Sequence, residues 1–332
     1  MTVQITIVGL GQIGASMGLA LEEHKDLVYR VGHDREIGIA KRAEKLGALD
    51  KTMINLPAAA READIIVLSL PMDQIRETIE IIAPDLKNGA VIMDTGPVKE
   101  VAARWAADLL PEERYYVGLT PVLNPAYLHG IDSGLDAARP DLFRGGLLAI
   151  VSPPDTPSEA IKLAADLTRL VGANPLFADP MEMDGLMAAT HTLPQLMAAA
   201  LLNTTVDQPG WNEGRKVAGR SYAEATGSII HPTSAQTLSA SALLNQHNVL
   251  RVIDSLIASL QSIRSDIDGN NAEALEEKLR RAREGWESWW KQRQTANWVG
   301  EEVSDVELPK TPDWFGRLLG MGGRDKRVGD KG

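Results

Sequence analysis

Gly9, Gly11 and Gly14 stand in G-x-G-x-x-G spacing within "IVGLGQIGAS", a spacing that lets a backbone hold a pyrophosphate. Gly9 permits a tight turn, Gly11 lets the backbone approach the phosphates, and Gly14 allows the following helix to sit close to a sheet. The free N–H groups at that helix start then bind the anion, with the intervening Gln12 and Ile13 as further contact candidates. Such turns also occur as plain strand-to-helix connections, so the context decides. Twenty positions past Gly14, "VGHDRE" places Asp34 where a carboxylate accepts hydrogen bonds from the adenosine ribose. Its charge repels a 2'-phosphate and favours NAD. Arg35 beside it would either hold that phosphate, admitting NADP, or cover the adenine ring.

Other reactive side chains are sparse. Of six histidines, His24 and His33 read as structural or exposed, and His129, His231 and His247 have no motif around them. His191 differs, because "ATHTLPQL" puts it one turn before Pro194. Proline lacks an N–H and should kink a helix there, freeing the carbonyl of Thr190. His191 is therefore either a satisfied core residue or a functional one. "WNEGRKVAGR" gathers Arg215, Lys216 and Arg220, which form either a receptor for a substrate carboxylate or a solvated helix face.

These residues need a frame. From Val3 to about Ser152 short apolar runs, "QITIVG", "LVYRVGHD", "DIIVLSL", "AVIMDT", "RYYVG" and "GLLAIVS", alternate with segments of helical spacing. Their Val- and Ile-rich character suits a parallel sheet covered on both faces. The expected fold class is α/β: an N-terminal Rossmann-type doubly wound sheet over 1–178, including one more helix and strand after Ser152. In such sheets ligands bind at the carboxyl ends of the strands, so "SLPMDQ" with Leu70 and Pro71, and "DTGPVK" with Gly96 and Lys99, should line the cofactor crevice. The stretch "VGLTPVLNP" reads as a loop after the strand "RYYV".

At Asp179 the character becomes helical. "DPMEMD" offers Asp179 as N-cap, Pro180 at the first helical position and Glu182 three residues after the cap. A long helix to about Thr205 should follow, with later helices over roughly 234–268 and 271–296. Trp286, Trp289 and Trp290 form a stripe best read as packing, within the chain or against a second subunit. The expected all-α part spans 179–298, and 299–332 reads as a flexible tail.

Composition bounds the function. A chain of 332 residues with 44% hydrophobic content suits two domains. A net charge of -11 argues against nucleic-acid binding. The sequence has no basic leader, and no apolar run of the ~20 residues that span a bilayer is evident, so a cytoplasmic protein off the membrane is expected. Cysteine is absent, which removes disulfides, thiolate metal sites and Cys nucleophiles, so redox chemistry must come from a cofactor.

Taken together, "GLGQIGASMGLAL", "HDRE", "ADIIVLSLP", "LKNGAVIMDTGPVK", "ADPMEMD", "LPQLMAAAL" and "ALEEKLRRARE" make the chain similar to the prephenate and arogenate dehydrogenases of tyrosine biosynthesis. The resemblance implies a nucleotide-binding domain, a helical dimerisation and substrate domain, and a homodimer. It also implies NAD(P)-dependent oxidation of a ring carbinol with loss of the ring carboxylate. Lys99 matches the lysine of the family's G-S-V-K turn, whose serine is Pro97 here, and is assigned to substrate binding. The family's G-H-P motif falls on Leu119, Thr120 and Pro121, so Thr120 stands where the catalytic histidine is expected. A threonine hydroxyl positions a substrate but is no base near neutral pH. The family's S-H-L-P pattern reads His191, Thr192, Leu193, Pro194, and its substrate-binding arginine falls near Arg215 or Lys216. Three readings stay open: this dehydrogenase with His191 or water replacing the base, the same fold acting on another small carboxylate, or a nucleotide-binding protein without chemistry.

Overall fold

The computed structural model describes residues 2–130, 132–230 and 234–295. The expected tail, 299–332, lies outside these, as does His231. Along the chain run β1 (Val3–Val8), α1 (Gln12–Ala20), β2 (Val28–His33), α2 (Ile37–Lys45), β3 (Lys51–Thr52), α3 (Leu56–Ala60), β4 (Ile65–Leu68), α4 (Met72–Ile82), β5 (Val91–Asp94), α5 (Lys99–Leu109), β6 (Tyr115–Val122), β7 (Leu147–Val151), α6 (Ser158–Leu170) and β8 (Asn174–Ala178). The sheet order is β3-β2-β1-β4-β5-β6-β7-β8. Every adjacent pair is parallel except β6 and β7, which run antiparallel.

Successive side chains in a strand face opposite sides, and the core divides accordingly. Ile5, Ile7, Ile65, Val67, Val91, Met93, Val117 and Leu119 belong to one apolar cluster, shared with α1 and α6. Val8, Ile66, Leu68, Ile92 and Tyr116 belong to the other, shared with α4 and α5. Strands buried on both faces explain the near-continuous apolar runs.

One local reading of the sheet is revised. The stretch taken as a loop, "VGLTPVLNP", is mostly strand: β6 continues to Val122, with Thr120 opposite Ala149 and Pro121 opposite Leu148. β5 ends at Asp94, opposite Gly118, so Leu119 to Val122 have a partner on one side only. Proline is tolerated in such an edge position. The long connection after β6 then folds back over α1, where Gln12 Nε2 donates to Ala137 O at 3.4 Å and Arg139 N to Ser16 Oγ at 2.9 Å.

The helical part comprises α7 (Pro180–Met187), α8 (Leu193–Val206), α9 (Trp211–Val217), α10 (Arg220–Thr226), α11 (Ala235–Leu244), α12 (Gln246–Asp268) and α13 (Ala272–Thr295). Asp179 caps α7 as expected, its Oδ1 accepting from Glu182 N at 2.9 Å. Between α7 and α8 the chain widens into a π-turn over Ala188–Thr192, where the Leu193 N–H bonds Ala188 O. The proline is thus accommodated by an added residue in the turn. The helix expected over 234–268 breaks at Asn245 (φ -113°, ψ 34°), whose side-chain Nδ2 donates to Asp184 O at 2.7 Å. A tertiary bond at that position substitutes for the missing Gly or Pro.

By length and composition, Pro180–Val206 is apolar enough to cross a membrane, with mean hydropathy 1.2 over its best stretch. The expectation that no such run exists overlooked this helix. It meets α10, α11 and α12, but only 22% of its best stretch is buried within the chain. In the tryptophan stripe, Trp286 and Trp290 stack at 5.9 Å, and Trp290 meets His129 at 5.2 Å. Trp286 and Trp289 stay largely exposed, as do Leu243, Leu250, Leu260 and Leu279 on the neighbouring helices.

Candidate functional site

The glycine turn lies at the carboxyl end of β1. Gly9 has φ +89°, and a Cβ there would sit 2.2 Å from Ser69 O. A Cβ on Gly14 would sit 2.0 Å from Gly9 O, so α1 reaches the loop only through this glycine. A Cβ on Gly11 would meet nothing within 4 Å. The turn therefore leaves open space above the start of α1, which is what an approaching pyrophosphate needs. Gln12 and Ile13 are half-buried there. Asp34 stands beside the turn, its Oδ2 accepting from Leu10 N at 2.8 Å and its Oδ1 from Glu36 N at 2.9 Å. A carboxylate has about four acceptor positions, so two bonds leave capacity for ribose hydroxyls. Arg35 is exposed next to it, and Leu70 and Pro71 line the end of β4. The residues present fit a dinucleotide. Among the described residues no group of three or more His, Asp or Glu is placed to hold a metal ion.

At the end of β5 the structure assembles a cluster that the sequence did not reveal. Lys99 is fully buried, and its Nζ bonds Asp94 O at 3.0 Å and Asp94 Oδ1 at 2.9 Å. Asp94 Oδ1 also takes the Gly96 N–H at 2.8 Å, and its Oδ2 takes a short bond from Tyr116 OH. The Lys99 stem crosses β6 at Gly118, where a Cβ would lie 2.8 Å from Lys99 Cδ. From α7, Asp184 caps α5 by accepting from Lys99 N at 2.5 Å and Glu100 N at 3.1 Å. One cluster thus fixes the Thr95–Gly96 corner of the crevice and ties the sheet to the helical part.

Its electrostatics follow from burial. Desolvation pulls the Lys99 ammonium down from its ordinary value, and the Asp94 carboxylate partly offsets this. Burial, then Asp94, pushes the Tyr116 phenol well up, so it stays a donor. Burial raises Asp184 to about 6 against the opposing pull of the Lys99 and Glu100 N–H groups and the Lys99 charge.

Thr120 lies two residues beyond Gly118 and four beyond Tyr116, hence on the same face of β6. It is buried, and its Oγ1 has no hydrogen-bond partner among the described residues. It occupies the part of β6 that overshoots the carboxyl edge of β5, facing the crevice of an open α/β sheet. His191 sits on the π-turn, exposed, with the buried Gln195 bonded to it. Arg215 and Lys216 lie on the short α9, both exposed, Lys216 loosely paired with Glu213 at 3.9 Å. The structure therefore gathers Gly96, Lys99 and Thr120 at one corner with the newly found Asp94, Tyr116 and Asp184. Arg215 and Lys216 make no bond to that corner. Asp94 had a signal in hindsight, a carboxylate closing an apolar strand run.

Two family models match the chain: the nucleotide-binding domain of prephenate dehydrogenase over 17–176 and its dimerization domain over 179–281. Among curated relatives, the cyclohexadienyl dehydrogenase of Zymomonas mobilis is 26% identical over 280 residues, covering 83% of this chain and 92% of its own. The prephenate dehydrogenase of Bacillus subtilis is 25% identical over 82% of this chain and 72% of its own. Among solved structures, prephenate dehydrogenase from Aquifex aeolicus, in complex with hydroxyphenyl propionate and NAD+, superposes with a TM-score of 0.77 at 21% identity, over 87% of this chain and 98% of that one. Synechocystis arogenate dehydrogenase superposes with a TM-score of 0.69 at 21% identity, over 86% and 100%.

Proposed function

The chain belongs to the prephenate dehydrogenase family, and from that premise we propose that it oxidatively decarboxylates a cyclohexadienyl acid, prephenate or arogenate, using NAD with NADP as the alternative. Residues 1–178 carry the cofactor, and 179–298 supply the substrate side and the homodimer contact, to which the exposed leucines and tryptophans belong. The working compartment is the cytoplasm.

NAD, when bound, would supply the acceptor for the hydride of the ring carbinol. The chain's residues do the rest. The open space over Gly11 and the N–H groups of α1 receive the pyrophosphate, and the unused acceptor positions of Asp34 receive the ribose. Lys99, which the resemblance assigns to substrate binding, has two of its three donors spent on Asp94, and its proposed role is to hold the Thr95–Gly96 corner rigid from beneath together with Asp94 and Tyr116. The Thr120 hydroxyl orients the carbinol oxygen. The carbinol proton passes to water, because a threonine cannot hold it at neutral pH. Without a positioned base the step forgoes about 10²- to 10⁴-fold of rate. Loss of carbon dioxide with aromatisation of the ring then draws the reaction forward. Arg215 and Lys216 are the proposed receivers of a substrate carboxylate.

The observation that carries this reading is the buried, unpartnered Thr120 Oγ1 at the carboxyl edge of a sheet whose nucleotide turn is open. The same observation favours a second reading, a related small carboxylate as substrate, since histidine is the residue expected there. Thr120→His separates them. Faster oxidation of prephenate by the variant supports the first; no gain, together with no prephenate binding by either protein, supports the second.

A further inference from the structure

His33 closes β2 at the carboxyl edge of the sheet, and its carbonyl takes the Gly9 N–H at 2.9 Å, so it joins the nucleotide turn directly. It pairs with Val8 of β1. Residues paired across a parallel ladder point to the same side, and Val8 lies on the core face of α4 and α5, where Leu70 also packs. The His33 ring therefore stands on that face, between the end of β3 and Leu70. On the β3 side its Nδ1 lies 3.0 Å from Met53 O. A carbonyl oxygen only accepts, so Nδ1 carries the proton and the neutral ring keeps its lone pair on Nε2. The two ring nitrogens point away from each other, so Nε2 is turned back across β2 toward Leu70. No described residue bonds it, and His33 is only half-buried. Apolar groups flank the same edge. Leu70 Cδ2 would lie 2.9 Å from a Cβ on Gly9, and Ile54, 65% exposed, leads into α3, whose Ala60 packs on this face.

We propose that His33 selects the base of the dinucleotide, its Nε2 accepting a hydrogen bond from the N6 amine of adenine while Ile54 and Leu70 cover the ring. This rests on the nucleotide part of the function proposed above and adds a base-specific contact to it. The glycine turn and Asp34 serve phosphate and ribose, which carry no information about the base. A purine is flat and apolar on its faces, and its identity is written on its edge, where the adenine amine donates and a 6-oxo group accepts. An apolar slot with one fixed acceptor reads that difference. The Met53 carbonyl makes the acceptor firm, because Nε2 becomes a donor only if the ring gives up that bond or takes a second proton.

The test is calorimetric titration of the full chain, in weakly alkaline buffer, with NAD and with nicotinamide hypoxanthine dinucleotide, in which an oxygen replaces the N6 amine. The expected result is about 5- to 30-fold weaker binding of the hypoxanthine form, the effect of one lost hydrogen bond and two opposed acceptors. His33→Phe keeps a flat ring and deletes the acceptor; it should weaken NAD by about 3- to 10-fold and bring the two dinucleotides to within about twofold of each other. His33→Gln, whose amide turns to present either group, should also bind both alike, and it serves should the phenylalanine variant not fold. Equal binding of the two dinucleotides by the unaltered chain would overturn the proposal, as would a preference for NAD that survives in the folded variants. Both outcomes leave nucleotide binding, and with it the dehydrogenase reading, intact. Binding of neither dinucleotide would remove that reading and the proposal together.

Discussion

Gly11→Ala and Gly14→Ala should separate cofactor affinity from stability. At Gly11 a new methyl meets no atom of the protein within 4 Å, and the residue has φ -75° and ψ -161°, a conformation alanine adopts without strain. Alanine is a poorer N-cap than glycine, while losing a glycine lowers the entropy of the unfolded chain. These opposed effects leave stability within about 1 kcal/mol. The methyl does, however, stand in the space where the pyrophosphate must approach. Overpacking by a methyl costs about 1–3 kcal/mol, equivalent to roughly 5- to 150-fold weaker NAD binding. At Gly14 the methyl would lie 2.0 Å from Gly9 O. Backbone cannot yield as a side chain does, so α1 must lift from the turn, at a cost of about 3 kcal/mol in stability. The assays are calorimetric NAD titration and denaturant unfolding on the same preparations. Unchanged NAD affinity in Gly11→Ala would refute the placement of the pyrophosphate over this turn. A Gly14→Ala protein as stable as the parent would refute the packing argument.

Two further perturbations address the buried corner. Asp184 is raised to about 6 in the folded protein from an ordinary value near 3.8, so between those values the folded state holds more protons than the unfolded. Its contribution to stability therefore falls as pH rises through that window, by about 2 kcal/mol after allowance for screening. Asp184→Asn should abolish that part of the stability-versus-pH curve between pH 4 and 6 relative to the parent; an identical slope in both would count against it. Lys99→Met leaves Asp94 buried with the Tyr116 and Gly96 donors alone and should cost about 3–5 kcal/mol in unfolding free energy. A loss under 1 kcal/mol would mean that the pair is not buried in solution.

The sheet and the nucleotide turn were legible because their signals are local. Val- and Ile-rich runs mark strands, and the glycine spacing with Asp34 is read from a few dozen residues. The direction of β7 was not legible, since "GLLAIVS" is equally apolar in either direction. Nor was the length of β6, because Pro121 and Asn124 look like loop residues until β5 is seen to stop at Asp94. The corner cluster was hidden for a different reason. Lys99 is five residues from Asp94, but Tyr116 is 22 from Asp94 and Asp184 is 85 from Lys99, and nothing local announces that α7 docks there. The break at Asn245 has the same origin, a side chain bonded to Asp184 O across the domain.

The central claim, that this chain is a cyclohexadienyl-acid dehydrogenase, is tested most directly by incubating the full chain with NAD and prephenate or arogenate. Reduced nicotinamide and carbon dioxide are followed together. Equimolar formation of both is expected, slow but dependent on enzyme and acid. No reduction of NAD or NADP with either acid, by a protein that binds the nucleotide, would contradict it.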